Sequence, residues 1–316
     1  MRQFDFTSTA SDVVADIDLS GRTAFVTGGY SGLGMETARA MAGRGAHVVI
    51  AGRDAAKAQE AAAEIGNGTK TIVCDLGDLA QIARCGAEAR ARFTRIDLLI
   101  NNAGIMATPF GTTADGFEQQ FGVNHLGHFA LTAALMPLVL AASAPRIVNL
   151  SSRAHFIAPV DFDDPHFAHR AYEKWASYGQ SKTVNALFTV GLQNRFAARG
   201  VDAFAVHPGG IATNLGRHMN DADTAALMAR LHKNARAAGE EPEPFKTPEE
   251  GAATTCWAAT APMLVGKGGH YAENCGIAEI TATDTMRGVR PYALDPDAAE
   301  RLWTMSEQAT GIRFPD

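Results

Sequence analysis

Short apolar runs alternate with longer, alanine-rich segments along most of the chain. The apolar runs predict strands at Thr23–Thr27, His47–Ala51, Lys70–Cys74, Asp97–Ile100, Arg146–Leu150 and Val201–His207, with Gly269–Tyr271 as a further candidate. Most runs are continuously apolar, as in strands that are buried on both faces of a parallel sheet. Helical patterns fall between them, at about 32–44, 54–65, 78–92, 115–140, 177–198 and 248–260. This alternation predicts an α/β fold, a single-domain doubly wound parallel sheet with helices on both faces.

Two segments depart from this alternation. Residues 1–18 form an N-terminal extension before a single domain at 19–316. Residues 211–246 are polar and interrupt the pattern, which predicts a mobile substrate flap. Its apolar residues either form an adaptable lid over a substrate or belong to an ordinary amphipathic surface segment. These residues are Met219, Met228, Leu231 and Phe245.

Composition narrows the class of protein. The net charge is 28 − 34 = −6 with both signs scattered, so a nucleic-acid-binding surface is not expected. The four cysteines lack zinc or redox-motif spacing, which favours free thiols in a reducing compartment. The N-terminus has no signal-peptide pattern, and no stretch approaches a membrane span of about 18 apolar residues. We therefore expect a soluble, cytoplasmic protein with no membrane partner.

A glycine-rich turn follows the first predicted strand and opens the first predicted helix. The turn reads Thr27-Gly-Gly-Tyr-Ser-Gly-Leu-Gly34. Gly28, Gly32 and Gly34 would let backbone N–H groups approach a pyrophosphate, with the positive end of the helix behind them. A turn without a ligand is the alternative. The predicted dinucleotide contacts in this loop are Gly28, Tyr30, Ser31, Gly32, Leu33 and Gly34.

The end of the second predicted strand bears on the choice of cofactor. An NAD site usually places a carboxylate there to bind the ribose hydroxyls. Here Gly52 takes that position, and Arg53 could pair with a 2′-phosphate. Asp54 could replace the missing acid, but it also suits the N-cap of the next helix. We therefore favour NADP(H), with NAD(H) as the alternative.

Tyr178 and Lys182 lie one helical turn apart and would share a helix face. A phenol titrates near 10, which is too high for efficient proton exchange at neutral pH. An ammonium about 4 Å from the phenol oxygen contributes roughly 4 kcal/mol at an effective dielectric constant of about 20, or about 3 pKa units. The pair could therefore bring a tyrosine pKa close to neutrality, although a surface helix can carry both residues by chance.

Neighbouring motifs favour a catalytic role for this pair. Ser151 and Ser152 end the fifth predicted strand, and the carboxyl ends of strands are where doubly wound folds bind ligands. Asn101-Asn-Ala-Gly104 follows the fourth strand, and His207-Pro-Gly-Gly-Ile-Ala-Thr213 follows the sixth. Asn124 lies on the helix between the fourth and fifth strands.

Together these motifs resemble the short-chain dehydrogenase/reductase family, from about Leu19 to Tyr271. The resemblance implies a Rossmann fold and a carbonyl reductase or alcohol dehydrogenase. It implies that Tyr178 is the proton donor and acceptor and that Ser152 orients the carbonyl. It also implies that Lys182 binds the nicotinamide ribose and lowers the tyrosine pKa, and that Asn124 orders a proton-relay water.

The same resemblance implies cofactor contacts along the strand ends. They are Arg53; Asp75 and Leu76 near the adenine; Asn102, Ala103 and Gly104 at the adenosine ribose; Tyr178 and Lys182; and Pro208, Gly209, Ile211 and Thr213 at the nicotinamide. No metal is expected. A cluster of histidines and aspartates at 155–169 could be taken for a metal site, but solvated loop residues explain it more simply.

A long insert at 153–177 and the N-terminal extension are most similar to the retinol-dehydrogenase-like branch, which also resembles protochlorophyllide-reductase-like proteins. That branch implies an NADP(H)-dependent oxidoreductase acting on an apolar small-molecule carbonyl or alcohol. An NAD-dependent alcohol dehydrogenase and a non-catalytic cofactor-binding sensor or scaffold are the alternatives. Family members often pair through the helices around 115–140 and 177–198, so a homodimer or homotetramer is a further prediction.

Overall fold

A computed structural model describes residues 3–283 and 287–315. Within these residues, eight strands form one sheet in the order β3-β2-β1-β4-β5-β6-β7-β8. The first seven strands pair in parallel, and β8 pairs antiparallel to β7. The strands are β1 Thr23–Thr27, β2 His47–Gly52, β3 Lys70–Val73, β4 Leu98–Asn101, β5 Arg146–Leu150, β6 Asp202–His207, β7 His270–Glu273 and β8 Gly276–Ile277. The doubly wound parallel sheet is confirmed.

The helices lie on both faces of this sheet. They are α1 Ala10–Val14, α2 Gly32–Ala42, α3 Ala55–Ile65, α4 Leu79–Arg92, α5 Gln119–Phe121, α6 Gly127–Leu140, α7 Lys174–Phe196, α8 Asp221–Ala238, α9 Pro248–Thr260 and α10 Pro296–Thr310. Successive β1 residues belong to different core clusters: Ala24 and Val26 to one, Phe25 to the other. Since strand side chains alternate in direction, each face of the sheet has its own core.

Two predicted helices have different boundaries in the structure, and side-chain caps explain both. The helix predicted at 177 begins at Lys174, because the Glu173 carboxylate accepts hydrogen bonds from the next turn. The helix predicted at 115 begins at Gln119, where Glu118 accepts bonds from the Gln120 and Phe121 amides. A π-helical turn, Gly122–Leu126, then joins α5 to α6.

The prediction that no segment is apolar enough to span a membrane was wrong. Gln119–Leu140 is long and apolar enough to cross a membrane, with a mean hydropathy of 1.4 in its most apolar window. However, 78% of that window is buried inside the protein. Helix α6 packs against α4 and against β4 of the sheet, and Trp303 of α10 contacts its Phe129, so this segment is a core helix.

The C-terminal helix α10, which the sequence analysis missed, packs along α7. The ring centre of Trp303 lies 5.2 Å from that of Phe129 on α6 and 5.9 Å from that of Phe188 on α7. Phe314 joins the same aromatic cluster, 4.5 Å from Trp303. The helices named for subunit pairing are therefore partly covered by their own chain. The homodimer or homotetramer stays a prediction.

The N-terminal extension and the flap are both built into this fold. Helix α1 buries Val13 and Val14 in the core beside α2 and α9. The flap contains α8, and its two ends meet in a parallel bridge between Ile211 and Lys246. Its mobility stays a prediction.

Candidate active site

A cleft of about 1180 Å³ opens along the carboxyl edge of the sheet. Apart from Asn124, each catalytic and cofactor-binding residue predicted from the sequence lines this cleft. The reason is topological, because parallel strands all end at the same edge and the loops that follow them converge there. The four flap residues Met219, Met228, Leu231 and Phe245 also line it, which favours the lid over the surface segment.

Ser152 and Tyr178 come together at the centre of the cleft. Both side chains line the cleft, and the Ser152 hydroxyl acts to lower the pKa of Tyr178. The Ser152 Oγ also accepts the Ala154 amide at 3.1 Å, which fixes its position. Ser151 faces the other way and donates to the Lys182 carbonyl at 2.7 Å. Of the two serines, Ser152 therefore has the geometry of a substrate-binding hydroxyl, and Ser151 anchors α7.

The expectation that Lys182 brings the pKa of Tyr178 close to neutrality was wrong for this structure. Burial raises the pKa of Tyr178 to about 12, and the nearby Ser152 hydroxyl opposes this only in part. Burial also lowers the pKa of Lys182 to about 8. Both groups are desolvated, whereas an effective dielectric constant of about 20 describes a partly hydrated pair, and this explains the difference. The neutral phenol is the stable form here.

Lys182 is nonetheless placed beside the tyrosine. Its Nζ lies 5.6 Å from the centre of the Tyr178 ring and donates to the Leu150 carbonyl at 3.0 Å. Both side chains are only 4% exposed. Gly104 packs close to both Lys182 and Asn124, because a Cβ at that residue would lie 3.7 Å from Lys182 Nζ and 3.2 Å from Asn124 Oδ1.

Asn124 lies beneath the cleft and is fully buried. Its side chain bonds both backbone groups of Ile105, with Nδ2 donating to the carbonyl and Oδ1 accepting the amide, each at 2.9 Å. Nδ2 also donates to Ser181 Oγ at 2.9 Å. In this structure Asn124 therefore holds the Gly104–Ile105 wall against α7, and its role in a proton relay stays a prediction.

The dinucleotide loop has a backbone geometry that suits a bound pyrophosphate. Gly28 and Gly32 have φ values of +64° and +53°, which other L-residues rarely adopt. Helix α2 begins at Gly32, and the side chain of its N-cap, Ser31, makes no capping hydrogen bond. Asp54 and Asp78, by contrast, cap α3 and α4 with their own side chains. The first-turn amides of α2 thus remain available to an anion at the cleft.

Gly34 sits where the loop crosses the end of β4. A Cβ there would lie 2.4 Å from Asn102 Nδ2 and 2.5 Å from the Gly28 carbonyl oxygen. Asn102 is itself held by Thr27, to whose carbonyl it donates at 2.7 Å. Thr27 Oγ1 accepts the amides of Asn102 and Ala103 at 2.9 and 3.0 Å. The two loops therefore form one hydrogen-bonded unit.

At the end of β2 there is little room for a side chain at position 52. A Cβ at Gly52 would lie 2.2 Å from the Tyr30 ring, so that ring occupies the space of a side chain at position 52. Asp54 caps α3 by accepting the Lys57 amide at 3.1 Å, which confirms its assignment as a cap. Arg53 is exposed and lines the cleft together with Arg217 from the flap.

Several cleft residues were not assigned from the sequence. Among these, His207 ends β6 and accepts the amides of Arg153 and Gly209 at Nδ1, at 3.3 and 3.4 Å. Its position at the carboxyl end of a strand was an available signal. The apolar wall residues carried no signal, because they come from loops and from the insert. They are Ile105, Met106, Phe156 and Ile157. Trp175 also lines the cleft, whereas Trp257 is in the core.

The histidine and aspartate residues at 155–169 serve structural roles. His155 is fully buried, with Nδ1 2.7 Å from the Ser152 carbonyl and Nε2 accepting the Arg290 amide. His166 Nδ1 accepts the Glu118 amide at 3.3 Å. Asp164 accepts the amides of Ala168 and His169. Within 3–283 and 287–315, no group of three or more histidine, cysteine, aspartate or glutamate residues is placed to hold a metal ion.

Comparison with known proteins identifies the family. The profile described as short chain dehydrogenase matches residues 22–224. A probable oxidoreductase of Streptomyces lividans is 45% identical over 91% of this chain and 97% of its own length. Human retinol dehydrogenase 12 is 38% identical over 95% of this chain and 89% of its own length.

Solved structures agree with these sequence matches. An uncharacterised protein of Mycobacterium paratuberculosis has a TM-score of 0.74 at 34% identity, covering 98% of this chain and all of that one. The NADP complex of Pseudomonas aeruginosa RhlG has a TM-score of 0.60 at 25% identity, covering 77% of this chain and 91% of that one. The chain therefore belongs to the short-chain dehydrogenase/reductase family, in its retinol-dehydrogenase-like branch, and is a nicotinamide-dependent oxidoreductase of CH–OH and C=O groups.

Proposed function

We propose that this enzyme is an NADP(H)-dependent reductase of an apolar ketone or aldehyde, with Tyr178 as the proton donor. The observation that carries the proposal is the buried, neutral Tyr178, which lines the cleft together with Ser152 and Lys182. A phenol whose pKa is about 12 is protonated at neutral pH, so Tyr178 has a proton to give. Because so high a pKa opposes its release, the reaction also needs the Lys182 ammonium beside the ring to stabilise the phenolate that forms. We also propose that the enzyme works in the cytoplasm, where thiols stay reduced; Cys74, Cys85, Cys256 and Cys275 are free and buried.

The walls of the cleft support an apolar substrate. Beyond Tyr178 they carry Met106, Phe156, Ile157 and Trp175 from the body of the protein. The flap helix α8 contributes Leu227, Met228 and Leu231. Leu231 lies four residues after Leu227 and three after Met228, so it shares a helix face with each of them. Arg153 is the charged group nearest to Ser152 in sequence, and its guanidinium pairs with Glu243 at 3.5 Å.

The site residues divide the chemistry between them. When bound, the nicotinamide supplies the hydride. Ser152 donates a hydrogen bond to the substrate oxygen, and Tyr178 transfers its proton to that oxygen as negative charge develops there. The Lys182 ammonium then stabilises the phenolate that Tyr178 becomes. Fixed donors in a buried site stabilise this charge without reorganisation, which is where we expect much of the rate gain.

The test is NADPH consumption, with NADH in parallel, across ketones and aldehydes of graded size and polarity. Turnover that rises with the apolar size of the substrate and vanishes in the Tyr178→Phe variant would support the proposal. Tight NADPH binding without turnover of any substrate would instead favour a cofactor-binding sensor.

We expect Arg53→Ala to weaken NADPH binding by about tenfold while leaving NADH binding almost unchanged. A charge-assisted hydrogen bond contributes about 1.5–3 kcal/mol, and a tenfold change in Kd corresponds to about 1.4 kcal/mol. Fluorescence titration with both cofactors measures this. Arg84→Ala is the matched control, since Arg84 is exposed on α4 outside the cleft. Equal losses for NADPH and NADH would contradict the proposed preference.

We expect NADPH affinity to fall as the pH rises through about 8. Burial lowers the pKa of Lys182 to about 8, so its ammonium is present below that pH and lost above it. If the cofactor binds the ammonium form, the complex holds one proton more than the free enzyme above pH 8. Kd then rises by up to about tenfold per pH unit.

The control for this pH dependence is Lys182→Met, whose Kd should be nearly flat between pH 7 and 9. The neighbouring groups do not titrate there, because the pKa of Tyr178 is about 12 and that of His128 about 4. The same slope in wild type and variant would show that another group is responsible.

A further inference from the structure

Lys246 is a buried lysine at the end of the flap, only 4% exposed. Its backbone pairs with Ile211, and its amide donates to the Gly210 carbonyl at 2.8 Å. The backbone of Lys246 therefore continues the loop that follows β6. We call Pro208–Ile211 the β6 loop.

The side chain of Lys246 lies flat against the same loop. Gly209 has a φ of +100°, and a Cβ there would lie 2.8 Å from Lys246 Cδ and 3.1 Å from Cε. The methylene stem thus occupies the space next to Gly209. A shorter side chain at 246 would leave this glycine, the least restrained residue type, without its packing partner.

The ammonium of Lys246 is fixed by two other parts of the chain. Nζ donates to Asn274 Oδ1 at 2.8 Å, in the turn between β7 and β8. It also lies 4.4 Å from the centre of the Phe6 ring, in the N-terminal extension. Burial lowers the pKa of Lys246, while the nearby acids Glu243, Glu250 and Asp5 act to raise it.

A buried charge of this kind is a weak source of stability, because desolvation offsets much of its attraction to partners. Its geometric effect is clearer. Lys246 connects the β6 loop to the β7–β8 turn and to the N-terminal extension, three segments that lie far apart in the sequence. The β6 loop in turn lines the same cleft as Tyr178.

We propose that Lys246 is a positioning residue, which holds the β6 loop so that its backbone presents the nicotinamide to Tyr178. This inference rests on the proposed function, in which the β6 loop meets the nicotinamide. It gives the N-terminal extension a part in catalysis, through the contact of Phe6 with the Lys246 ammonium.

The test is Lys246→Met, which keeps an unbranched side chain and removes the ammonium. We expect kcat at saturating NADPH to fall by about tenfold, since displacement of a reacting group by about 1 Å can cost up to 100-fold. The Kd of NADPH should change little, because contacts at the adenosine end remain. Hydrogen exchange in a peptide spanning 203–213 should be faster in the variant, while that in a peptide from α4 stays unchanged.

Matched variants separate positioning from folding. Lys267→Met removes an exposed lysine after α9 and should behave as wild type. Phe6→Leu leaves the flap intact and should lower kcat in the same direction, by less. Lys246→Arg should recover part of the lost kcat because it restores a cation. If Lys246→Met fails to fold, Phe6→Leu and Lys246→Arg still report on the contact.

Wild-type kcat and hydrogen exchange in Lys246→Met, or a loss of kcat explained by its unfolded fraction alone, would overturn the inference. An inactive wild-type enzyme that binds NADPH would instead overturn the proposed function. Faster exchange at 203–213 in Lys246→Met would in that case still support the anchoring role of Lys246.

Discussion

Replacement of Tyr178 by phenylalanine is expected to lower kcat by about 100- to 10,000-fold, the usual contribution of a positioned proton donor. The substitution removes one oxygen from a fully enclosed ring and leaves the volume of the side chain nearly unchanged. The Lys182 ammonium and the dinucleotide loop stay in place, so the Kd of NADPH should change little. Steady-state kinetics and fluorescence titration on the same preparation measure both quantities.

The control is Tyr292→Phe. Tyr292 also carries a hydrogen-bonded hydroxyl, which donates to the His155 carbonyl at 2.6 Å, but it does not line the cleft. Its loss should leave kcat close to the wild-type value. A Tyr178→Phe enzyme that keeps more than about a tenth of the wild-type kcat would show that another group supplies the proton.

The second large effect is expected for Gly34→Ala. A Cβ at this position would lie 2.5 Å from the Gly28 carbonyl and 2.4 Å from Asn102 Nδ2, both in the dinucleotide site. The neighbouring loop is hydrogen-bonded to Thr27 and has little freedom to yield. Overpacking costs about 1–3 kcal/mol. We expect the free loop to relieve this strain by shifting away from the dinucleotide-binding geometry, so that binding must restore it. The upper end of the range then corresponds to about a 100-fold rise in the Kd of NADPH.

Gly276→Ala is the matched control for Gly34→Ala. At Gly276 the nearest atom to an added Cβ is the Glu273 carbonyl oxygen, at an ordinary 3.7 Å. Both variants need a thermal unfolding curve, so that a loss of binding can be separated from a loss of fold. Normal NADPH binding by Gly34→Ala would show that the loop adapts to the extra methyl group.

The sequence predicted which residues would come together at the cleft where chemistry and topology coincide. Ser152, Asn102 and Pro208 each follow a buried strand, and parallel strands bring such residues to one edge. Tyr178 and Lys182 lie on the same helix face because they are four residues apart. The place of Gly52 at the end of a strand likewise showed that it occupies the position of the ribose-binding acid. The structure adds that the Tyr30 ring fills the space of a side chain there.

What the sequence could not supply depends on tertiary burial. The pKa of Tyr178 is set by desolvation, which a helical spacing does not report. Asn124 carried a recognisable motif, but its bonds to Ile105 depend on a π-helical turn. Helix α10 had local signals in its N-cap, Asp295, and the following proline, yet the described residues after it, 311–315, form no strand that would complete the alternating pattern.

The bridge between Ile211 and Lys246 makes the flap between them easy to exchange as one segment. Because the two ends of the flap lie side by side, the intervening 212–245 segment enters and leaves the scaffold at one point. A loop with coincident ends tolerates changes in its length and sequence, because the closure entropy rises only slowly with length. The flap is therefore a natural unit for exchange between relatives. A graft of 212–245 would carry one wall of the cleft to a new enzyme and leave Ser152, Tyr178 and Lys182 where they are.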